Sequence, residues 1–207
     1  MAADLLRQGN LIGLPTETVY GLAANAFNEV ALRKIFDLKQ RPLYNPLIVH
    51  TSSLEKAKEL VTSFPPQALE LAHQCWPGPL TLLLPKSTRI PELVTAGSPL
   101  VALRIPNHPV ALDLLEQLEF PLAAPSANPY QRISPTTATQ VEEYFGDALP
   151  CILDGGPCSC GLESTIVGFE ENRIVVYRLG AITLELLQQK FKDVVLKTKG
   201  SNTIRTS

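Results

Sequence analysis

An α/β layer fold, one sheet covered by helices, is what this 207-residue sequence predicts. Three observations carry that expectation. Apolar residues recur at helical spacing in some stretches and in short strand-like runs in others, and the two kinds alternate along the chain. Several of the short runs are apolar at nearly every position, which suits strands buried on both faces of a mixed or largely parallel sheet. The 18 prolines fall at the ends of these runs and form no low-complexity tract, so they read as terminators and turns. The length suits one core that needs neither disulfide nor structural metal. With no repeat and no linker visible, the expected organisation is one domain over residues 1–196, followed by a mobile tail, KTKGSNTIRTS, over 197–207.

In chain order, residues 11–14 predict the first strand. Residues 29–40 predict a helix capped by Asn28, with Leu32, Ile35 and Phe36 on one face. Runs 47–50, 80–84 and 100–105 are strand candidates. Residues 108–119 predict a helix after Asn107, with Pro109 in the first turn and Ala111, Leu114, Leu115 and Leu118 at i, i+3, i+4 and i+7. Run 121–124 is a strand, and 137–145 a helix with Thr139 and Glu142 at capping-box spacing. Runs 151–153, 165–169 and 174–178 complete the expected sheet.

Composition narrows the function classes. A net charge of −2 argues against chain-wide attraction to nucleic acid and leaves room for a local basic pocket. The amino terminus carries Asp4 where a signal peptide needs basic residues, and Arg7 and Gln8 interrupt its apolar stretch. No run approaches the roughly 18 apolar residues of a membrane span. A cytoplasmic protein without membrane association is therefore expected, with Cys75, Cys151, Cys158 and Cys160 as free thiols. Cys158-Ser159-Cys160 has the wrong spacing for a zinc knuckle and no nearby histidine, so no metal site is expected on the protein.

Five segments carry polar chemistry. Pro15-Thr16-Glu17-Thr18-Val19-Tyr20-Gly21-Leu22 sets hydroxyls and a carboxylate at a strand end, where open α/β sheets collect ligands; an ordinary turn with a capping threonine fits equally well. Lys39-Gln40-Arg41-Pro42-Leu43-Tyr44-Asn45-Pro46 closes a helix with two cations, which suit the negative end of its dipole. The two prolines stiffen this connection, and the cations with the Asn45 amide also suit phosphate oxygens. His50 ends the next strand; a lone histidine there is more often a structural group. Arg104 ends another strand, where its guanidinium suits a bidentate carboxylate or a surface ion pair. Ala123-Ala124-Pro125-Ser126-Ala127-Asn128, followed by Ser134-Pro135-Thr136, offers small residues and neutral hydrogen bonds. A serine nucleophile would need a base, and neither a G-x-S-x-G elbow nor an Asp-His arrangement is present. Last, Gly161-Leu162-Glu163-Ser164-Thr165 precedes a strand that delivers Arg178 just before Gly180. Neither Walker nor G-x-G-x-x-G loops occur.

In this order and spacing, PTETVYGL, KQRPLYNPLIVH, the strand ending RIP, APSAN, SPT, GLEST and YRLG resemble the YrdC family of threonylcarbamoyl-AMP synthases, over about residues 5–185. The resemblance implies a twisted sheet beneath a concave, positively lined cavity. It also implies synthesis of threonylcarbamoyl-AMP from L-threonine, bicarbonate or CO2 and ATP with Mg2+, releasing pyrophosphate. The product would serve threonylcarbamoyladenosine formation in tRNA through a downstream transfer complex, with tRNA itself a further candidate ligand. By resemblance, Thr18, His50, Arg104, Ala124 and Ser164 contact threonine. Lys39, Arg41, Asn45, Leu100, Ser126, Asn128, Ser134 and Arg178 surround ATP, with Lys39, Arg41 and Arg178 stabilising the charge that develops in the reaction. Leu100 stands where the family often has a hydroxyl, so only its backbone would serve. Leu179 replaces the proline of R-P-G, and Tyr130-Gln131 replaces a frequent S-G. Longer members carry a second domain, and this chain is expected to stop before one. Two other readings stay open: an RNA-binding module without catalysis, which the charge count disfavours, and a carbamoyl-transfer enzyme of the hydrogenase-maturation type, which would need further domains.

Overall fold

The computed structural model describes residues 1–171 and 173–197. The expected tail therefore lies outside the described residues, apart from Lys197, whose backbone N–H donates to Val176 O. The elements run α1 (Ala2–Arg7), β1 (Ile12–Leu14), β2 (Gly21–Asn25), α2 (Glu29–Lys39), β3 (Ile48–His50), α3 (Leu54–Lys58), α4 (Pro66–Cys75) and β4 (Leu80–Pro85). They continue with α5 (Glu92–Thr95), β5 (Leu100–Arg104), α6 (Pro109–Glu116), β6 (Leu122–Ala123), α7 (Ala138–Phe145), β7 (Thr165–Glu170), β8 (Arg173–Arg178), α8 (Leu184–Lys190) and β9 (Val194–Leu196).

The nine strands form one sheet in the order β1-β2-β6-β3-β5-β4-β7-β8-β9. It is mixed, as expected: β3–β5, β4–β7 and β8–β9 are parallel, and the other neighbours are antiparallel. The central strands read as apolar throughout because both their faces are covered. Val49, Leu82, Leu84, Val101, Leu103 and Val167 point into the main core with the helices, including Leu32, Ile35 and Phe36 of α2. The alternate residues Leu83, Ala102 and Ile166 make a smaller apolar cluster on the opposite face, with Ile48, Leu100 and Tyr177 against it. A third cluster joins α1 and α6 to β1 and β6 through Leu6, Ile12, Leu14, Leu115 and Leu122.

Local signals account for α2, whose Asn28 side chain accepts from Ala31 N as expected. The cap of α6 is His108, without a side-chain bond, instead of Asn107. Helix α7 is capped by Thr137, which accepts from Gln140 N, while Gln140 Oε1 accepts from Thr136 N. That is a reciprocal box set two residues before the Thr139–Glu142 pair. Run 151–153 makes a single bridge, Gly13 with Ile152, because β1 is too short to extend the pairing. Strand β2 was not foreseen. Its sequence, GLAAN, lacks β-branched and aromatic residues, and its small side chains are buried by β1 and β6 on either side.

Candidate active site

Strand alternation builds the floor of an open pocket with an empty volume of about 910 Å3. Residues Ile48 and His50 of β3, Leu100, Ala102 and Arg104 of β5, Leu83 of β4 and Ile166 of β7 all face it. Their intervening neighbours face the helices. Around this floor stand Thr16, Thr18 and Val19 before β2, Arg41 and Pro46 after α2, and Ala124, Pro125 and Ser126 after β6. Glu163 and Ser164 precede β7, and Arg178 ends β8.

Arg178 reaches the pocket through an irregularity. Ile166 pairs with Arg178 and Val167 with Val176, leaving Tyr177 as an extra residue. Ile174 and Val176 lie in the helix-side core, and regular alternation would send Arg178 there as well. The bulge turns it to the other face. Its Nε and Nη2 donate to Ser164 O at 3.2 and 2.9 Å, Nη2 also donates to Ser164 Oγ at 3.1 Å, and Nη1 lies 2.7 Å from Glu163 Oε2. Gly180 makes this crowding possible: a Cβ there would fall 2.2 Å from Glu163 O.

Arg41 is fixed by its own loop, donating from Nε to Asn45 O and from Nη2 to Pro46 O. Burial lowers the pKa values of both Arg41 and Arg178. Arg104 Nε donates to Gly78 O at 3.2 Å, and Nη2 lies 2.8 Å from Glu17 Oε2. The ion pair is buried, yet neither Nη2 nor the Glu17 oxygens has a well-aligned hydrogen bond. Nη2 is enclosed against Glu17, so the capacity left for a ligand carboxylate is at Nη1.

Thr16 donates its one hydroxyl proton to Val19 O at 2.7 Å. In the 2.9 Å contact between the two hydroxyls Thr18 must then donate, which turns its lone pairs toward the pocket. Ser164 Oγ is held 2.8 Å from Thr81 Oγ1. His50 is buried and its Nδ1 has no hydrogen-bond partner among the described residues. Burial first, then the charge of Arg104, pushes its pKa down to about 3.

The site residues foreseen from sequence fall into two groups. Thr18, Arg41, His50, Leu100, Arg104, Ala124, Ser126, Ser164 and Arg178 line the pocket. Lys39, Asn45, Asn128 and Ser134 stand behind this wall. Lys39 is buried, its ammonium donating to Ser126 O and Asn128 O, and burial with the charge of Arg41 lowers its pKa to about 7. Asn45 is fully buried with neither amide atom hydrogen-bonded among the described residues. Asn128 Nδ2 closes its own turn onto Pro129 O and Arg132 O, and Ser134 Oγ donates to Glu163 Oε1 at 3.1 Å.

Reading the sequence missed Glu17, Glu163, Thr95 and Ser98 as site residues. The last two line the pocket beside Leu100, and Ser98 Oγ accepts from Leu100 N at 3.1 Å. A hydroxyl is therefore present there, two residues upstream, and the short spacing was the available signal. All four cysteines are free, and no cluster of metal-ligating side chains occurs among the described residues. No helix among them is long and apolar enough to cross a membrane.

The Sua5_yciO_yrdC family model, described as "Telomere recombination", matches residues 4–180. The chain belongs to this family. It is 45% identical over 194 residues to threonylcarbamoyl-AMP synthase of Pyrococcus abyssi, covering 94% of this chain and 57% of that protein. To the enzyme of the same name from Bacillus subtilis it is 44% identical over 188 residues, covering 90% and 54%. It thus spans little more than half the length of these two relatives. The structure of P. abyssi Sua5 complexed with L-threonine superposes with a TM-score of 0.94 at 42% identity, covering 100% of this chain and 62% of that one. Shared with Sua5/YrdC proteins are the mixed α/β fold and the large sheet flanked by helices.

Proposed function

We propose that this Sua5/YrdC-family chain makes threonylcarbamoyl-AMP from L-threonine, bicarbonate and ATP, releasing pyrophosphate. The observation that carries this reading is a pocket in which three guanidinium groups, Arg41, Arg104 and Arg178, stand over an apolar floor. An amino-acid carboxylate suits Arg104, whose guanidinium the Glu17 loop holds, and a polyphosphate suits Arg41 with Arg178, whose charges act on one another. The names of the relatives support the activity, and the threonine bound to P. abyssi Sua5 supports the amino acid.

In this reading Arg104 takes the threonine carboxylate, while Thr18, His50, the Ala124 backbone and Ser164 fix the amine and hydroxyl end. Bicarbonate gives CO2 by breaking a C–O bond and losing hydroxide; the amine adds to CO2, forming the C–N bond of a carbamate, and its proton joins that hydroxide as water. A carbamate oxygen then attacks the α-phosphorus, and the bond to the pyrophosphate oxygen breaks. Arg41 and Arg178 stabilise the charge spreading over the phosphates, with Lys39 behind them. The backbone near Leu100, Ser126, Asn128, Ser134 and Asn45 would hold the nucleotide. His50, with a pKa of about 3, is too weak a base to take the amine proton at neutral pH, so its part is to orient threonine. Glu163 is the one acid among the described pocket-lining residues, which fits Mg2+ held chiefly by the nucleotide and not by a protein cage. When bound, the ion would neutralise phosphate charge. Transfer to tRNA would fall to a separate transfer complex.

Incubation with threonine, bicarbonate, ATP and Mg2+ tests the reading. Threonylcarbamoyl-AMP should appear by mass, with pyrophosphate released only when all components are present. Orthophosphate from the γ-position instead would overturn it.

A further inference from the structure

We propose that Glu163 is an internal anion: it holds Arg178 and Ser134 in the empty site, and the nucleotide's phosphates displace it. Glu163 Oε2 lies 2.7 Å from Arg178 Nη1, and Oε1 accepts from Ser134 Oγ at 3.1 Å. The field of the same carboxylate reaches Lys39 and Arg41. Of the groups given to the phosphates, Arg178 and Ser134 therefore contact this carboxylate, while Lys39 and Arg41 feel its charge from their own backbone acceptors. The inference rests on the nucleotide reading of these residues.

Charge explains why an acid would stand there. The charge of Arg178 disfavours the charged form of Arg41, and that of Arg41 disfavours the charged form of the buried Lys39. A carboxylate among them offsets this repulsion while no phosphate is bound. A triphosphate carries several charges where Glu163 carries one, and two anions at one site repel each other, so the triphosphate wins the contact.

The backbone is built for a side-chain exchange and not for a loop movement. Glu163 O accepts from Ala181 N at 2.9 Å and lies hard against Gly180. The side chain is 38% exposed and has solvent to turn into. A change of rotamer releases Arg178 and Ser134 together.

The direction of the effect separates this role from that of a ligand contact, because removing a competitor tightens binding. Calorimetric titration of Glu163→Gln with inorganic tripolyphosphate, without magnesium, should show affinity about three- to tenfold higher than wild type, that is about 0.7–1.4 kcal/mol. The free variant should melt lower than wild type, and saturating tripolyphosphate should close the gap. Glu163→Ala, which also removes the Ser134 bond, should show the same gain and keeps the test available if the Gln variant does not fold. Unchanged or weaker tripolyphosphate binding in a folded variant would overturn the inference and leave the nucleotide reading standing. A folded wild type that binds neither ATP nor tripolyphosphate would overturn both.

Discussion

Arg104 and Arg41 are chemically alike, line one pocket and are held by similar backbone acceptors, but they are assigned to different substrates. In the proposed enzyme, Arg104→Ala leaves the threonine carboxylate without its charged partner, a loss of about 1.5–3 kcal/mol for charge-assisted bonds. Threonine affinity should fall roughly ten- to a hundredfold with ATP affinity nearly kept. Arg41→Ala should weaken ATP and spare threonine. Calorimetry of each substrate on each folded variant decides; loss of ATP in Arg104→Ala would mean that the two assignments are exchanged. His50 gives a second prediction. Its pKa of about 3 in the folded chain compares with about 6.5 unfolded. Between those values the unfolded chain binds a proton that the folded chain refuses, so stability falls as pH drops through this window. Urea midpoints measured from pH 7 to 4 should decline less steeply in His50→Gln than in wild type, and parallel slopes would show that His50 is not the titrating group.

At the scale of elements, two irregular backbone features stand out. One is the β7–β8 bulge that turns Arg178 inward. The other is the turn after the Ser126–Asn128 segment, where Gln131 has φ +66°. An L-residue in the left-handed region costs about 1–2 kcal/mol, and a glycine there gives back about 0.5–1 kcal/mol in chain entropy. Gln131→Gly should therefore raise unfolding stability by about 0.5–1 kcal/mol in urea titration, while Gln131→Ala should be nearly neutral. A destabilised Gly variant would mean that the Gln131 side chain, and not backbone geometry, holds the turn.

For the whole molecule, acids outnumber bases 20 to 18, and the buried or half-buried cations of the pocket are set toward a small ligand instead of an extended backbone. RNA affinity supplied by phosphate contacts needs a row of exposed cations and weakens steeply with salt. In the proposed enzyme, micromolar tRNA should leave threonylcarbamoyl-AMP formation essentially unchanged at physiological salt. Any binding detected by filter retention should be weak and lost as salt rises. Tight binding without adenylate formation would favour an RNA-binding module.

Much of this architecture was legible in the linear chain. Helix α2 and its Asn28 cap follow from one side chain and a 3.6-residue period, and the central strands follow from short apolar runs. The pocket-lining residues of the ordered motifs stand at strand ends and loops, as that order implies. What stayed hidden depends on contacts between distant segments. GLAAN becomes a strand because β1 and β6 supply hydrogen bonds on both sides, which its own propensity does not announce. Glu17 meets Arg104, and Lys39 meets the carbonyls of Ser126 and Asn128, because the strand order brings those loops to one edge of the pocket. The bulge at Tyr177 likewise overrides the two-residue alternation that would have sent Arg178 into the core. Periodicity and capping act over a few residues and can be read from a few residues; strand order, burial of charge and bulges come from the whole chain closing on itself, so their energies appear only in the folded arrangement.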